Sequence, residues 1–123
     1  MAEAFFKDYE TEHEARSAGT QVSKEGETIG EEEKARFVWE AMDKEGIDVR
    51  SYRRKQLTPP MVDWADKVIV ITERESWPDY LLTSPKSIYW DITDPKGTDY
   101  NTHVRIREEV KNRVKGLIEI LKL

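Results

Sequence analysis

The sequence predicts an α/β fold of three layers, in which a parallel sheet is covered by helices on both faces. The first observation is that segments with helical periodicity alternate along the chain with short runs rich in Val and Ile. The second is the run KVIVIT, residues 67–72, whose four consecutive β-branched residues are typical of a strand buried on both faces. No linker or internal repeat divides the 123 residues, so we expect one domain over residues 1–123.

The first half of the chain predicts two helices and one short strand. The opening MAEAFFKDYE has apolar residues at three- and four-residue intervals, which indicates an amphipathic helix. The segment EARSAGT, residues 14–20, is a strand candidate, and the polar, glycine-containing residues 21–30 predict a loop. A second helix is expected over residues 31–45, with acidic residues in its first turn and Gly46 as its C-terminal stop. Its apolar stripe consists of Ala35, Val38, Ala41 and Met42.

The second half predicts two strands and three helices. In LTPPMVDWAD, Thr58 is an N-cap candidate, and Pro59 and Pro60 suit the first turn of a short helix. KVIVIT is the clearest strand, and SWPDYLL is expected to form another short helix. SIYWDIT, residues 87–93, predicts the next strand, which the turn signature DPKG ends. The last helix is expected over residues 102–122. Its apolar face consists of Ile106, Val110, Val114, Leu117, Ile118 and Leu121.

Composition restricts the function classes. The absence of cysteine excludes disulfides, thiolate nucleophiles and zinc–thiolate sites within these 123 residues. His13 and His103 are far apart and are expected at the surface or in loops, so no metal or other cofactor is predicted. A net charge of −5 argues against nucleic acid as a partner. No apolar run approaches the roughly 20 residues of a membrane span, and the start has no signal-peptide pattern, so we expect a cytoplasmic protein.

Two groups of residues leave alternatives open. RSYRRK, residues 50–55, places four basic residues within six positions, and either forms a solvated surface or faces an anionic ligand or partner. The large aromatic residues either belong to the core or line a groove where a ligand binds. These residues are Trp39, Trp64, Trp77, Trp90 and Tyr100.

Several short segments occur in a characteristic order along nearly the whole chain: MAEA opening a helix, SAGT, AMDKEGIDV, RRKQLTPPMVDWADKVIVIT, WDITDP and an IREEV helix. This order resembles that of the low molecular weight protein tyrosine phosphatase family, which includes arsenate reductase relatives. The resemblance implies a flavodoxin-like parallel sheet between two helical layers. In the family, the first and central strand and a C-x5-R-[ST] phosphate-binding loop stand directly before PMAEA. We therefore expect that strand and that loop to be missing from these 123 residues.

The chemistry of that family explains why the loop matters. Its members hydrolyse phosphomonoesters with a low-pKa thiolate nucleophile, and backbone N–H groups at a helix N-terminus hold the phosphoryl oxygens. An arginine of the loop stabilises the developing charge. None of the three stands in this sequence, and the reductase chemistry of the relatives passes through several cysteines, so we expect these 123 residues to be catalytically inactive.

The resemblance also implies roles for four residues. Asp94 matches the general acid that protonates the leaving phenolate and then activates water, although an Asp-Pro pair also starts ordinary type I turns. Ser17 matches a serine whose hydroxyl supports the phosphate-binding loop, or is a strand-end serine that bonds its own turn. Tyr52 stands where many members carry His. Lys96 stands where many carry an aromatic that stacks on the phosphotyrosine ring, so both are substrate-groove candidates.

Three functional hypotheses follow. The first is a pseudo-phosphatase, a binding or regulatory module for a phosphoprotein or anionic ligand. The second is an active phosphatase whose strand and catalytic loop precede Met1, because Met1 coincides with the internal methionine of the family's PMAEA. The third, a flavodoxin-like scaffold for a nucleotide, has no Gly-rich phosphate loop in its favour.

The missing central strand also has a structural consequence, because its two neighbours in the sheet keep unpaired backbone groups. The strand candidate over residues 14–20 pairs directly with KVIVIT, or a second chain supplies the partner and forms a homodimer, or the fold is only partly stable. We expect self-association.

Overall fold

A computed structural model describes residues 1–23 and 25–122, which form five α-helices and two strands. The helices are α1 Ala2–Tyr9, α2 Arg36–Asp43, α3 Pro59–Trp64, α4 Asp79–Leu82 and α5 Tyr100–Leu121. The strands are β1 Val68–Val70 and β2 Ser87–Tyr89. Three short 3-10 helices cover Ile29–Glu31, Glu33–Ala35 and Arg74–Ser76.

The two strands form a parallel sheet between two layers of helices, which confirms the predicted α/β class. Ile69 of β1 lies opposite Ile88 of β2. Along β1 the side chains alternate between two apolar cores: Val68 and Val70 pack with α3 and α4, whereas Ile69 and Ile71 pack with α1, α2 and α5. The strand is therefore enclosed by apolar side chains on both faces, as its four β-branched residues predicted.

The larger core contains α1 and α5, and it confirms the predicted apolar faces of both helices. Phe5 of α1 has no exposed surface. Four residues of α5 at helical spacing are buried against it: Ile106, Val110, Val114 and Ile118. Fully burying one such side chain contributes about 1.5–3 kcal/mol, so this face accounts for much of the stability of the helical layer.

The second helix is shorter than predicted. Over residues 31–45 we expected one α-helix, but α2 covers Arg36–Asp43 only, and 3-10 helices precede it. The N–H groups of Ile29 and Gly30 donate to the carbonyl oxygens of Tyr52 and Arg50, at 2.8 and 2.9 Å. These long-range backbone bonds hold the chain before α2 against residues 50–52. The α-helix therefore begins only after the chain has left this pairing.

The predicted stop at Gly46 is confirmed. Its φ of +74° is a left-handed conformation that glycine adopts without steric cost. Its N–H donates to the Asp43 carbonyl at 2.9 Å, and the Ile47 N–H donates to the Met42 carbonyl at 3.1 Å. This pair of bonds is a Schellman motif, which satisfies carbonyl groups at the end of α2.

The strand predicted over residues 14–20 does not form, and the segment does not pair with β1. Its backbone pairs at Gly19, whose N–H donates to the Lys55 carbonyl at 2.9 Å and whose carbonyl accepts from the Leu57 N–H at 2.8 Å. A strand requires a neighbouring backbone along its length, and here residues 55–57 offer one only at the end of the segment. Beyond it, residues 21–23 and 25–28 form bends, turns and one isolated bridge, as predicted for a loop, and the first 3-10 helix begins at Ile29.

The remaining elements keep their predicted places with shifted ends. Thr58 is the N-cap residue of α3, and Pro59 and Pro60 stand at its first positions, although the Thr58 side chain makes no capping bond. The last helix begins at Tyr100 rather than residue 102, because the Asp99 carboxylate accepts the Thr102 N–H at 2.8 Å and caps it. Both strands are shorter than their apolar runs, because only three residues of each pair.

His103 is buried, which corrects its predicted place at the surface. It is 3% exposed, and its Nδ1 lies 2.8 Å from the Asp99 carbonyl oxygen in the first turn of α5. Its ring packs edge-on against Phe37 of α2, with 5.4 Å between the centroids.

Among residues 1–23 and 25–122, none of the helices has the length and apolar character that crossing a bilayer requires.

The packing of α5 generates a matched prediction. Ile118 is 5% exposed and Ile120 is 60% exposed on the same helix. Ile118→Ala should lower the free energy of unfolding by about 2–5 kcal/mol because it leaves a cavity in the larger core. Ile120→Ala should change it by less than about 0.5 kcal/mol. Urea unfolding followed by circular dichroism measures both, and equal losses would show that this face of α5 is not the buried one.

Candidate functional site

Glu3 is the centre of a polar cluster on the first turn of α1. Its side chain is only 7% exposed. The Ser17 hydroxyl donates a hydrogen bond to its Oε1. The Lys7 ammonium lies 2.7 Å from its Oε2, one helical turn further along α1. Glu3 therefore joins the first helix to the segment that carries Ser17.

The surroundings of Glu3 favour its ionised form. Burial by itself raises the pKa of this carboxyl group, but the hydrogen bonds from Lys7 and Ser17 and the positive charges of Lys7 and Lys55 outweigh burial. The pKa of Glu3 is therefore below its ordinary value of 4.5, and the side chain is a carboxylate at neutral pH.

Tyr52 lies beside the same cluster. Its ring is half-buried against the larger core, and the Lys7 nitrogen lies 5.6 Å from the ring centroid. Burial, followed by the negative charge of Glu3, raises the pKa of the Tyr52 phenol above 10.0. Ser17 and Tyr52, which come from distant parts of the chain, thus meet through Glu3 and Lys7.

A second contact holds the residue next to Ser17. The Arg16 guanidinium lies 4.1 Å from the centre of the Trp64 ring, at the end of α3. Arg16 also pairs with Glu14 at 2.9 Å. The Trp64 ring is 45% exposed, so this cation–π pair forms part of the surface.

Asp94 lies in an exposed turn that follows β2. Its Oδ1 accepts the Lys96 N–H at 3.0 Å. The turn itself runs from Pro95 to Thr98, closed by the Thr98 N–H and the Pro95 carbonyl at 3.0 Å, with Gly97 at a φ of +79°. A positive φ at the third position is the requirement of a type II turn, and Gly97 adopts it without steric cost.

The candidate residues thus form two separate groups. Ser17 and Tyr52 share the cluster at the first turn of α1, whereas Asp94 and Lys96 share the turn after β2. Within the part of the chain that the structure describes, no hydrogen bond or ion pair joins the two groups.

The arginines of RSYRRK are engaged within the chain. Arg50 bonds to Asp43 at 2.8 Å and to Asp48 at 3.0 Å. Arg54 lies 3.6 Å from Glu32. Arg50 and Arg54 are therefore neutralised in surface ion pairs, whereas Arg53 donates to the Gly26 carbonyl oxygen at 2.7 Å. In the described residues, no three His, Asp or Glu side chains come together as a metal site requires.

Sequence reasoning missed Glu3, Lys7 and the Arg16–Trp64 pair. The spacing of Glu3 and Lys7, four residues apart on one helix, was a visible signal for an ion pair. No pattern in the sequence connects either of them with Ser17, or Arg16 with Trp64, because these contacts depend on how the segment after α1 crosses the helices.

Comparison with known proteins identifies relatives of the whole chain. The family model for "Low molecular weight phosphotyrosine protein phosphatase" matches residues 1–123. No curated protein sequence matches the chain.

Solved structures share the fold. The low molecular weight protein tyrosine phosphatase from T. tengcongensis is 27% identical, with a TM-score of 0.77 over 99% of this chain and 88% of its own. The YwlE arginine phosphatase from Geobacillus stearothermophilus is 23% identical, with a TM-score of 0.78 over 98% of this chain and 82% of its own. Wzb from Vibrio vulnificus, solved with benzylphosphonate, is 18% identical, with a TM-score of 0.79 over 99% and 88%.

The turn that holds Asp94 gives a prediction with an internal control. A methyl group added to Gly97 or to Gly116 of α5 meets no other atom, but only Gly97 has a positive φ. Gly97→Ala should therefore destabilise the protein by about 1–2 kcal/mol. Gly116→Ala should stabilise it by about 0.5–1 kcal/mol, because alanine favours a helix. Denaturant unfolding measures both, and a stabilising Gly97→Ala would rule out the left-handed turn.

Proposed function

The chain belongs to the low molecular weight phosphotyrosine protein phosphatase family, and on that premise we propose that these 123 residues act as a pseudo-phosphatase. In this proposal the domain binds a phosphoprotein or another anionic ligand without hydrolysing it. The observation that carries the proposal is the complete absence of cysteine, because the chemistry of the family depends on a thiolate nucleophile.

The surroundings of Asp94 argue against hydrolysis by these residues alone. Asp94 is exposed, and its carboxylate accepts a backbone N–H of its own turn. A general acid acts only on a leaving group that a nucleophile is displacing, and these residues supply no nucleophile.

Phosphatase assays test this proposal directly. The 123-residue chain should release no p-nitrophenol from p-nitrophenyl phosphate above the background of a blank, because it has no thiolate. The Asp94→Asn variant, prepared in the same way, is the control for a contaminating enzyme, whose activity the substitution would leave unchanged. Hydrolysis by the parent chain that Asp94→Asn abolishes would contradict the pseudo-phosphatase assignment.

A second candidate is an active phosphomonoester hydrolase in which a strand and a C-x5-R loop precede Met1. The cluster of Glu3, Ser17 and Tyr52 favours it, because a serine that supports such a loop would have to lie at the first turn of α1. The codons upstream of Met1 decide between the two candidates. An in-frame C-x5-R-[ST]-P motif supports the enzyme, and a stop codon there excludes it.

We also propose that β1 brings two copies of the chain together. Among the described residues β1 pairs with β2 alone. The N–H and C=O groups of Ile69 point away from β2, toward the other edge of β1, where no strand of the described residues lies. A strand with a free edge is a template for pairing with another chain.

Sedimentation tests the pairing of two copies. Analytical ultracentrifugation should show a dimer whose fraction grows with protein concentration. A well-folded monomer at every concentration, with a cooperative thermal transition, would show that β1 is stable without a second neighbour.

A further inference from the structure

Residues 14–19, called here the clasp segment, cross from α1 to α3 and are held mainly by side chains. The Ser17 hydroxyl bonds to Glu3 of α1, and the Arg16 guanidinium stacks on Trp64 of α3. Among the residues that the structure describes, backbone pairing holds the segment at Gly19 alone. Next to Arg16, Ala15 packs against the larger core. The two polar side-chain contacts and this packing together hold the segment in place.

The contact with Glu3 depends on the protonation of that side chain. An ionised carboxylate only accepts hydrogen bonds, and here it accepts from both Ser17 and Lys7. Adding a proton removes the ion pair with Lys7 and converts one acceptor oxygen into a donor. The Glu3 side chain is only 7% exposed, whereas Ser17 lies at the surface, so water is available to Ser17 when the bond to Glu3 weakens.

We propose that Glu3 is a positioning residue that fixes the clasp segment on α1 while it is ionised, and that its protonation weakens the bond to Ser17, because a neutral carboxyl group is a weaker acceptor than a carboxylate, and shifts Arg16 relative to Trp64. The Ser17 hydrogen is committed to Glu3 in the ionised state. The Ser17 oxygen then presents only lone pairs to its other neighbours, so it suits an N–H donor and is a poor direct ligand for a phosphate oxygen.

The charged groups around Glu3 set the pH at which release occurs. Lys7 of α1 and Lys55 from the segment beside Tyr52 place positive charge near the carboxylate. The Met1 amino group is buried before α1, and burial lowers its pKa although the charge of Glu3 raises it. Glu14 is the nearby negative group, and it acts on Lys7. Because the pKa of Glu3 is lowered in the folded state, the contact is complete above pH 4.5 and is lost as the pH falls through that lower value.

Fluorine NMR of Trp64 reports on the clasp segment separately from the rest of the fold. The four tryptophans of the intact chain are replaced by 5-fluorotryptophan, and the Trp64→Phe variant assigns the Trp64 resonance. During titration from pH 7 to pH 3, we expect this resonance to shift in a one-proton transition below pH 4.5. The resonances of Trp39, Trp77 and Trp90 should stay in place over the same range and show that the cores remain folded.

Four variants locate the transition. Glu3→Gln should abolish the Trp64 transition, because Gln does not titrate. Ser17→Ala should also remove it by disconnecting the clasp segment, whereas Ser17→Thr, which keeps the hydroxyl, should retain it. Glu14 also carries a carboxylate and pairs with Arg16 directly, so its titration is a second way to move Arg16. The control variant Glu14→Gln removes that titration and should leave the Trp64 transition in place.

Three results would overturn the inference. In the first, Glu14→Gln abolishes the transition and Glu3→Gln leaves it, so Trp64 reports only on Glu14. In the second, the Trp64 resonance does not move although the chain stays folded. In the third, all four resonances move together, so acid unfolds the whole domain rather than releasing the clasp segment. None of these results depends on whether the domain binds or hydrolyses a phosphate ester, so they leave the proposed function standing.

Discussion

The enclosure of β1 on both faces is the constraint on which the rest of the structure depends. Val68 and Val70 face one apolar core, and Ile69 and Ile71 face the other. A three-residue strand with one paired edge has too few backbone bonds to order a domain of this length. Helices packed against both faces therefore hold the strand in place, and they can do so because its side chains are apolar in both directions.

This arrangement explains where the polar features lie. One side of α1, which includes Phe5, packs into the larger core. Glu3 and Lys7 lie on the first two turns of α1, outside that core, where Glu3 contacts the segment that crosses the helix. The clasp segment is that chain, and it meets α1 through Ser17. The turn with Asp94 and Lys96 is placed independently, because it follows β2 and is closed by its own backbone bonds.

The chain belongs to the family, but its 123 residues contain no cysteine that could act as the nucleophile. Residues 1–123 match the family over their full length, and the described fold superimposes on those of solved phosphatases. The same residues contain no cysteine, and among the described residues no hydrogen bond or ion pair joins Asp94, the candidate general acid, to Ser17 or Tyr52. The shared architecture therefore does not by itself carry the chemistry of the family, because that chemistry depends on a thiolate.

The sequence by itself determined the α/β class, the apolar faces of α1 and α5, the end of α2 at Gly46 and the family resemblance. Each of these follows from local periodicity, from the conformational freedom of one glycine, or from the order of short motifs. Only the tertiary structure decided that residues 14–20 are not a strand, because a strand depends on a backbone partner from elsewhere in the chain. It likewise placed His103 beneath Phe37 and Ser17 on Glu3, because contacts between distant residues leave no periodic trace in the sequence.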